Sequence, residues 1–449
     1  MRKIAVVGAG IAGLLTAHGL RRAGFDVSLY SDRTAETWLS RSRPTGSACR
    51  FEAALAYERE LGLDGWHSDA PGIVGATMGY CPTPGVRLAS LMGRHERPAL
   101  AIDVRLQSHA WLNELEARGG RVFIEHVTVA RLDAIAAEHD LTIVAAGKAE
   151  LASLFPRDPR RSAYSKPMRT VAMVIVTGPA PTIDGMPFTG VKTNKLEGVG
   201  EAVWIPYFHR DAGPSWSLIF EACVGGPMDI FGGARSGEDA LACARRVIAE
   251  SAPWDAPWAR SMKLADPLGW LVGSVTPTVR APVATLASGR VVTCVGDTAV
   301  HFDPLAAQGA NNGTRMARHI VKAVVDRGDR PFDAAWMCDT FNRFWEADGR
   351  HAYELTNLFL EPMTSAGRLL LLAQFGSDGV RLDGRQRIAD FIANGFAEPV
   401  ALVPALTDPT LARRIIEQAT GRSWLGAAAR GALEIAGGQL RERIAALRA

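Results

Sequence analysis

Residues 296–312 carry the side chains best suited to chemistry. They read Gly-Asp-Thr-Ala-Val-His-Phe-Asp-Pro-Leu-Ala-Ala-Gln-Gly-Ala-Asn-Asn and follow the apolar run 290–295. The run predicts a buried strand that ends near the carboxylate of Asp297, and Gly309 is expected to open a helix that continues through Ile320. A carboxylate there can accept hydrogen bonds from sugar hydroxyls, and a helix N-terminus offers unpaired N–H groups to electron-rich atoms. Combined with the glycine loop described next, this pattern indicates a flavin site.

A glycine-rich loop near the N-terminus predicts a dinucleotide-binding β-α-β unit. Ile4–Val7 is a short apolar strand, Gly8-Ala-Gly-Ile-Ala-Gly13 follows it, and a helical pattern leads to a second strand at Phe25–Tyr30. In this motif Gly8 allows a tight turn, Gly10 lets a pyrophosphate approach the backbone, and Gly13 lets helix and strand pack closely.

The second strand should end at an acidic residue that binds ribose hydroxyls. Ser31 occupies the usual position and Asp32 follows it, so we assign Asp32 this role, with a simple turn residue as the alternative. Arg105 and Gln107 stand where a helix over 110–117 begins, and either contact a nucleotide or lie on the surface. The strand 141–147 ends at Gly147, where a small residue leaves room for a dinucleotide.

The predicted FAD-binding residues are Gly8, Gly10, Ala12, Gly13, Ser31, Asp32, Arg33, Arg105, Gln107, Gly147, Asp297, Gly309, Ala310 and Asn311.

The order of predicted elements indicates an α/β fold in four parts. Residues 1–150 and 286–330 form a Rossmann-like FAD-binding domain. Residues 151–285 form an inserted, mostly antiparallel β domain for substrate. Its predicted strands are Arg169–Thr177, Glu201–Phe208 and Ser215–Cys223, with little helix between them and a hairpin turn at 211–214. Residues 331–449 are helical, and their last part is a basic amphipathic helix that we expect to pack on the body or on a partner subunit rather than on a membrane.

Composition excludes several classes of function. The net charge of +3 over 449 residues is too small to indicate a nucleic-acid or acidic-membrane partner. Six scattered cysteines form no CxxC pair, so we expect neither a metal site nor disulfides. The apolar start contains nucleotide-loop glycines, which argues against a secretion signal, and a cytoplasmic location is the default.

Several motifs together resemble one enzyme family. They are Val7–Leu14, Leu29–Arg33, Asp103–Leu106, Leu115–Gly120, Asp140–Lys148 and Gly296–Asn311. The chain resembles the FAD-dependent oxygenase component of two-component styrene and indole monooxygenases over most of residues 1–330. The fold that this implies is similar to that of p-hydroxybenzoate hydroxylase.

The resemblance implies a monomer or homodimer that receives FADH2 from a separate NAD(P)H:flavin reductase. Reduced flavin and O2 would form a C4a-hydroperoxide that epoxidises or hydroxylates a small aromatic or alkene substrate, such as styrene or indole. It also implies that the loop 304–312 lines the flavin, so Pro304, Ala306 and Gln308 are candidate catalytic residues. His301 either hydrogen-bonds the reacting groups or is structural.

One segment departs from the family pattern. Styrene members resemble Asn-x-Val-x-His and indole members Ser-x-Gln-x-Met where this chain has Gly46, Ala48 and Arg50. Arg50 either pairs with a substrate carboxylate or phosphate, or pairs with Glu52, Asp32 or the FAD. The candidate substrate contacts are Ala48, Arg50, Ile73, Trp204 and Phe208; ordinary core packing is the alternative for the two aromatic residues.

Three other functions are alternatives to a two-component monooxygenase. A single-component NAD(P)H-dependent FAD aromatic hydroxylase is the main alternative, because such enzymes bind NADPH without a second glycine fingerprint. A halogenase is disfavoured, because the motif Gly-Trp-x-Trp-x-Ile-Pro is absent and no lysine lies between Lys3 and Lys148. A non-catalytic flavin-binding protein is disfavoured by the complete cofactor scaffold and the large inserted domain.

Overall fold

The computed structural model describes residues 1–44, 49–147 and 149–448, and the chain divides into two compact units. Unit 1 comprises Met1–Ser68, Ile102–Pro167 and Val275–Asn357. Unit 2 comprises Asp69–Ala101, Met168–Ser274 and Leu358–Ala449. Each unit is therefore assembled from three separate stretches of chain.

Unit 1 is built on a six-stranded sheet with a parallel centre. Its strands are β1 (Lys3–Val7), β2 (Asp26–Ser31), β5 (Arg121–Ile124), β6 (Leu141–Val144), β14 (Val283–Thr285) and β15 (Val291–Cys294). They lie in the order β14-β15-β6-β1-β2-β5, and the antiparallel edge strand β14 is the exception to parallel pairing. A separate two-stranded pairing joins β13 (Thr278–Val279) to β16 (Val300–His301).

Helices surround this sheet in unit 1. They are α1 (Ile11–Arg22), α2 (Ala35–Arg41), α3 (Glu52–Leu61), α4 (Val104–Ala117), α5 (Val129–Glu138), α6 (Ala149–Ala152), α9 (Gln308–Arg327), α10 (Ala334–Phe344) and the start of α11 (Arg350–Leu360). The central strands are buried along nearly their whole length, as parallel strands covered on both faces must be. The prediction of a Rossmann-like unit from the continuous apolar runs and the glycine loop is confirmed.

Unit 2 contains an eight-stranded sheet. Its strands are β3 (Ile73–Cys81), β4 (Ala89–Ala99), β7 (Arg169–Thr177), β8 (Val191–Leu196), β9 (Gly200–His209), β10 (Gly213–Cys223), β11 (Lys263–Leu264) and β12 (Trp270–Ser274). The order is β11-β7-β10-β9-β8-β3-β4, with β12 also paired to β7. β9 and β10 form the antiparallel hairpin that the turn residues 211–214 predict.

The helices of unit 2 fall in two groups. α7 (Gly237–Ser251) and α8 (Ala256–Ser261) follow β10, and α12 (Ser365–Ala373), α13 (Gly384–Gly395), α14 (Pro399–Thr407), α15 (Pro409–Thr420) and α16 (Trp424–Arg448) make up the C-terminal part. Among the described residues, none of these helices or those of unit 1 combines the length and apolar character needed to cross a bilayer.

The helix α7 follows the strands β7, β9 and β10, which are joined without a helix between them. Its N-terminus carries a capping box in which Ser236 and Asp239 satisfy each other's backbone N–H groups. Its buried residues include Leu241, Ala244 and Ile248, which belong to the same apolar cluster as the sheet residues of β7, β9 and β10. The Ser-x-x-Asp signal was available in the sequence.

The two compact units also have bounds that differ from the predicted domains. Residues 69–101, expected within the first FAD-binding part, belong to unit 2 because β3 pairs in parallel with β8 from Ala76 to Cys81. Residues 358–449 likewise belong to unit 2 rather than forming a region of their own. The pairing of β3 with β8 is not visible in local sequence patterns, because the two strands lie more than a hundred residues apart in the chain.

His18 makes the stability of unit 1 dependent on pH. It lies buried on α1, with Nε2 2.8 Å from the Trp111 carbonyl oxygen, and burial lowers the pKa of His18 to about 4. The unfolded chain binds a proton near pH 6.5, so the stabilisation present above that pH is lost as pH falls towards 4. We expect His18→Gln, which can still donate to the carbonyl, to lose about 2 kcal/mol less than wild type between pH 7.5 and 5.0. Urea denaturation at both pH values measures this, and equal losses in the two proteins would contradict it.

Candidate cofactor site

The carboxyl ends of the central strands of unit 1 bring most predicted cofactor residues to one edge of the sheet. β1 pairs in parallel with β2 and β6, and β6 pairs in parallel with β15. Four predicted residues lie at these strand ends. Ser31 is the last residue of β2, and Gly8 directly follows β1. Gly147 and Asp297 each lie three residues after the end of their strand, β6 and β15 respectively. This edge is where open α/β sheets bind their ligands.

The loop between β1 and α1 has the shape that a pyrophosphate requires. Gly8 has φ +121°, its N–H donates to the Tyr30 carbonyl at 2.9 Å, and a Cβ added there would lie 2.5 Å from the Ala145 carbonyl oxygen. A Cβ on Gly13 would overlap the Gly8 carbonyl oxygen. Gly10 has open space instead, with nothing within 4 Å of an added Cβ, so a ligand can approach the backbone there.

Two helix N-termini meet at this edge without side-chain caps. α1 begins after Gly10 and α9 begins after Ala307, and neither N-cap side chain bonds to the first turn. Ala307 has φ +54°, an uncommon conformation for a residue with a Cβ, and it directs the chain from the turn at Pro304–Ala306 into the helix. The positive ends of both helices, which have no side-chain caps, favour an electron-rich ligand.

Small residues allow α1 and α9 to approach each other closely. The Cβ of Ala12 would lie 2.8 Å from a Cβ added at Gly296 and 3.4 Å from one added at Gly313. Larger side chains at these positions would push the strand end, α1 and α9 apart. The predicted cofactor residue Ala12 therefore also serves as packing between the two helices.

Asp297 lies beside the start of α9. One carboxylate oxygen is 3.9 Å from the position of a Cβ on Gly309, and the Arg280 guanidinium donates to the Asp297 carbonyl at 3.3 Å. The side chain reaches solvent, yet the protein crowded around it raises the pKa of the Asp297 carboxyl, while His301 and Arg280 oppose the rise. Such an exposed acceptor beside a helix N-terminus suits sugar hydroxyls.

His301 is half-buried on β16. Burial lowers its pKa, and the charge of Asp297 partly opposes that shift. The imidazole is therefore neutral near pH 7, able to donate from one ring nitrogen and accept at the other. The structure leaves both predicted roles of His301 chemically feasible.

Asn311 and Gln308 are engaged by the protein itself. Asn311 accepts from the Phe51 N–H at 2.9 Å and donates to the carbonyls of Cys49 at 2.8 Å and Ala307 at 2.7 Å. Both hydrogens of the Asn311 side-chain amide are used in these bonds. The predicted contact of Asn311 with the cofactor would therefore be made by its backbone. Gln308 donates to the Ala306 carbonyl at 2.9 Å and accepts from Arg315 at 3.2 Å, so it braces the loop, and its catalytic role stays a prediction.

The predicted adenosine-side residues form ion pairs with their neighbours. Asp32 pairs with Arg33 at 3.0 Å, and the Arg33 guanidinium also lies 4.6 Å from the Trp38 ring centroid. Arg105 is fully buried and holds both carboxylate oxygens of Asp103, at 2.9 and 2.7 Å. Arg105 thus neutralises the residue that caps its own helix, which sequence reasoning did not anticipate.

The predicted substrate residues are divided between the two units. Ala48 lies outside the described residues, Arg50 lies in unit 1, and Ile73, Trp204 and Phe208 lie in unit 2. Trp204 is 1% exposed and packs edge-to-face on Trp216 in the core shared with α7, which favours the core-packing alternative for this residue. Ile73 is likewise fully buried, and Phe208 is half-buried.

Sequence reasoning missed Glu58 altogether. This carboxylate is fully buried on α3 and pairs with Arg50, whereas the sequence suggested Glu52 or Asp32 as acidic partners. A signal was present: Glu58 follows Ala54 and Leu55 and precedes Leu61 at helical spacing, on the buried face. A charged residue on such a face must have a partner.

Comparisons with known proteins agree with the geometry. A family model described as styrene monooxygenase A putative substrate binding domain matches residues 147–257, and an NAD(P)-binding Rossmann-like domain matches residues 6–58. Styrene monooxygenase StyA of Pseudomonas fluorescens is 27% identical over 322 residues, covering 70% of this chain and 75% of the relative.

Solved structures show the same fold at low identity. A flavoprotein/dehydrogenase from Cytophaga hutchinsonii has a TM-score of 0.62 at 13% identity, covering 92% of this chain and 98% of its own. The flavin-dependent brominase Bmp2 has a TM-score of 0.61 at 12% identity, covering 93% and 98%. Fold and sequence likeness together support a styrene monooxygenase-like, FAD-dependent monooxygenase with FAD as its cofactor.

Two glycine substitutions separate folding from cofactor binding. Gly13→Ala places a methyl group on the Gly8 carbonyl oxygen, so we expect a loss on the order of 3 kcal/mol in the free energy of unfolding. Gly10→Ala meets no protein atom, so we expect unchanged stability and weaker FAD binding. Urea denaturation and a fluorescence titration with FAD measure the two effects. Equal stability of the two variants would contradict the packing described here.

Asp297 is expected to contribute directly to FAD affinity. Removing a charged acceptor for sugar hydroxyls costs about 1.5–3 kcal/mol, so Asp297→Ala should raise the FAD dissociation constant at least about tenfold. Asp329→Ala, an exposed aspartate just beyond the far end of α9, is the matched control. An unchanged dissociation constant for Asp297→Ala would show that its carboxylate does not bind the cofactor.

Proposed function

We propose that this chain is the oxygenase of a two-component system. It receives FADH2 from a separate NAD(P)H:flavin reductase and transfers one oxygen atom of O2 to an apolar aromatic or alkene substrate of the styrene or indole kind. The other oxygen atom leaves as water, and the two electrons and two hydrogens come from FADH2, which leaves as FAD.

The observation that carries this proposal is the pair of uncapped helix N-termini beside a single glycine fingerprint. α1 and α9 both begin without a side-chain cap, at the strand edge that carries Gly8 and Asp297. The sequence holds one GxGxxG motif between a strand and a helix. One dinucleotide seat supports FAD as the resident group, and the resemblance to two-component styrene monooxygenases supports an external source of electrons.

Bound reduced FAD supplies the electrons that activate O2. The chain's own part is to hold and shape this site. The glycine loop gives the pyrophosphate backbone N–H donors, and Asp297 accepts hydrogen bonds from sugar hydroxyls. The N-terminus of α9 stabilises negative charge on the ring system, which favours the reduced form.

The loop that follows β15 completes the proposed role. Asp303 accepts from the Leu305 N–H at 3.1 Å and fixes the turn that contains Pro304 and Ala306. Neutral His301 can hold or pass a proton near this turn. Rigid placement of such a loop is what excludes water and positions a substrate without any charged nucleophile.

The choice of reductant tests the proposal. Purified protein mixed with photochemically reduced FAD, O2 and styrene or indole should give oxygenated product without any reductase. The same protein with FAD and NADH or NADPH should oxidise neither nucleotide above the protein-free rate, and a flavin reductase should restore product. Product is measured by chromatography and nucleotide oxidation by absorbance at 340 nm.

Two outcomes would contradict the proposal in different ways. Oxidation of NAD(P)H by the chain alone would replace it with the single-component hydroxylase. Absence of product from every neutral aromatic alkene tested, with reduced FAD bound, would contradict the substrate class.

A further inference from the structure

Arg50 is a buried cation that lies next to the start of α9. Its two neighbours in the chain, Cys49 and Phe51, are hydrogen-bonded through their backbones to the side chain of Asn311 in the first turn of that helix. The Arg50 side chain is 2% exposed. Asn311 therefore holds the backbone on both sides of Arg50 beside the N-terminus on which the proposed flavin seat depends.

One end of the Arg50 guanidinium is held by two buried groups. Nη1 lies 3.0 Å from Glu58 Oε1 and 3.0 Å from Gln107 Oε1. The other carboxylate oxygen of Glu58 lies 3.0 Å from His67 Nε2, whose side chain is 13% exposed. Elements that are distant in the chain, α3 and α4, thus converge on one arginine nitrogen.

The charge of Arg50 is met inside the protein. Glu58 is fully buried, so its carboxylate and the guanidinium neutralise each other in a region of low dielectric. A cation compensated in this way has little attraction left for a substrate carboxylate or phosphate. The anionic-substrate alternative raised by the sequence is therefore disfavoured.

The other end of the guanidinium, Nη2, has no partner among the residues that the structure describes. None of the described residues accepts a hydrogen bond from Nη2, although that nitrogen is inaccessible to solvent. Buried N–H groups are nearly always paired, and an unpaired one is costly. The desolvation of a buried ion pair also makes it weak evidence for a purely stabilising role. Both facts indicate that Nη2 donates to a ligand.

We propose that Arg50 is a cofactor-binding residue whose Nη2 donates to an acceptor atom of bound FAD. Because the Arg50–Glu58 pair is neutral overall, the acceptor is an oxygen or nitrogen of the ring or ribityl chain rather than the charged pyrophosphate. Glu58 and Gln107 are positioning residues that orient the guanidinium. This proposal rests on the FAD-binding part of the proposed function and adds a contact that the family pattern at this position, histidine or methionine, does not supply.

Substitutions at Arg50 and Glu58 test the proposal in the full-length chain. Arg50→Met has a similar length and lacks the donors, so the dissociation constant for FAD should rise about tenfold, with a changed visible spectrum of the bound flavin. Arg50→Lys keeps a positively charged nitrogen that can donate, so it should recover part of the affinity for FAD. Glu58→Gln keeps an acceptor for Arg50, so it should weaken binding in the same direction by a smaller factor.

Arg59→Met is the matched control, because Arg59 lies on the same helix but is exposed and pairs with Glu52. It should leave both the dissociation constant and the flavin spectrum unchanged. The thermal midpoint of each apo variant separates loss of fold from loss of binding. If Arg50→Met does not fold, Arg50→Lys and Glu58→Gln decide the question by the same two readouts.

Two results would overturn different claims. FAD binding within twofold of wild type and an unchanged spectrum in Arg50→Met, or in both replacement variants, would mean that Arg50 has only a structural role. Failure of the wild-type chain to bind FAD would instead overturn the proposed function, on which this contact depends.

Discussion

The close approach of α1 to α9 is the constraint on which the cofactor site depends. Ala12, Gly296 and Gly313 leave so little volume at this junction that two helix N-termini open onto the same strand edge. Both termini lack a side-chain cap and carry partial positive charge, so they repel each other unless something electron-rich lies between them. Asp297 supplies part of that negative charge, and a dinucleotide would supply the rest.

Polar groups brace this junction from outside. The Asn311 side chain hydrogen-bonds the backbones of Cys49, Phe51 and Ala307. These bonds join the first turn of α9 to the segment before α3. Arg50 extends the bracing to α3 and α4 through Glu58 and Gln107. The site is therefore assembled from distant stretches of chain. The polar side chains of Asn311 and Arg50 connect those stretches.

Local patterns were sufficient to predict the nucleotide unit, because apolar runs, glycine spacing and turn residues act over a few positions. The strand edge with Gly8, Gly147 and Asp297, and the hairpin of β9 and β10, were predictable for this reason. Pairing of β3 with β8 was not, because it joins segments more than a hundred residues apart. The alternation of side chains along β9 predicts that Trp204 lies on one of the two faces of the sheet. It does not predict that α7 covers that face and buries Trp204. The apolar face of α3 marked Glu58 as a carboxylate that needs a partner, but that this partner is Arg50 follows only from three-dimensional packing.

Amide hydrogen exchange of the whole chain with and without FAD tests most directly whether the junction of α1 and α9 is the flavin seat. Slower exchange is expected in peptides covering residues 8–13 and 308–313, where unpaired N–H groups gain acceptors from the cofactor. Peptides from α5, at Val129–Glu138, should exchange at the same rate in both states. Protection elsewhere, with residues 8–13 and 308–313 unchanged, would contradict the site described here.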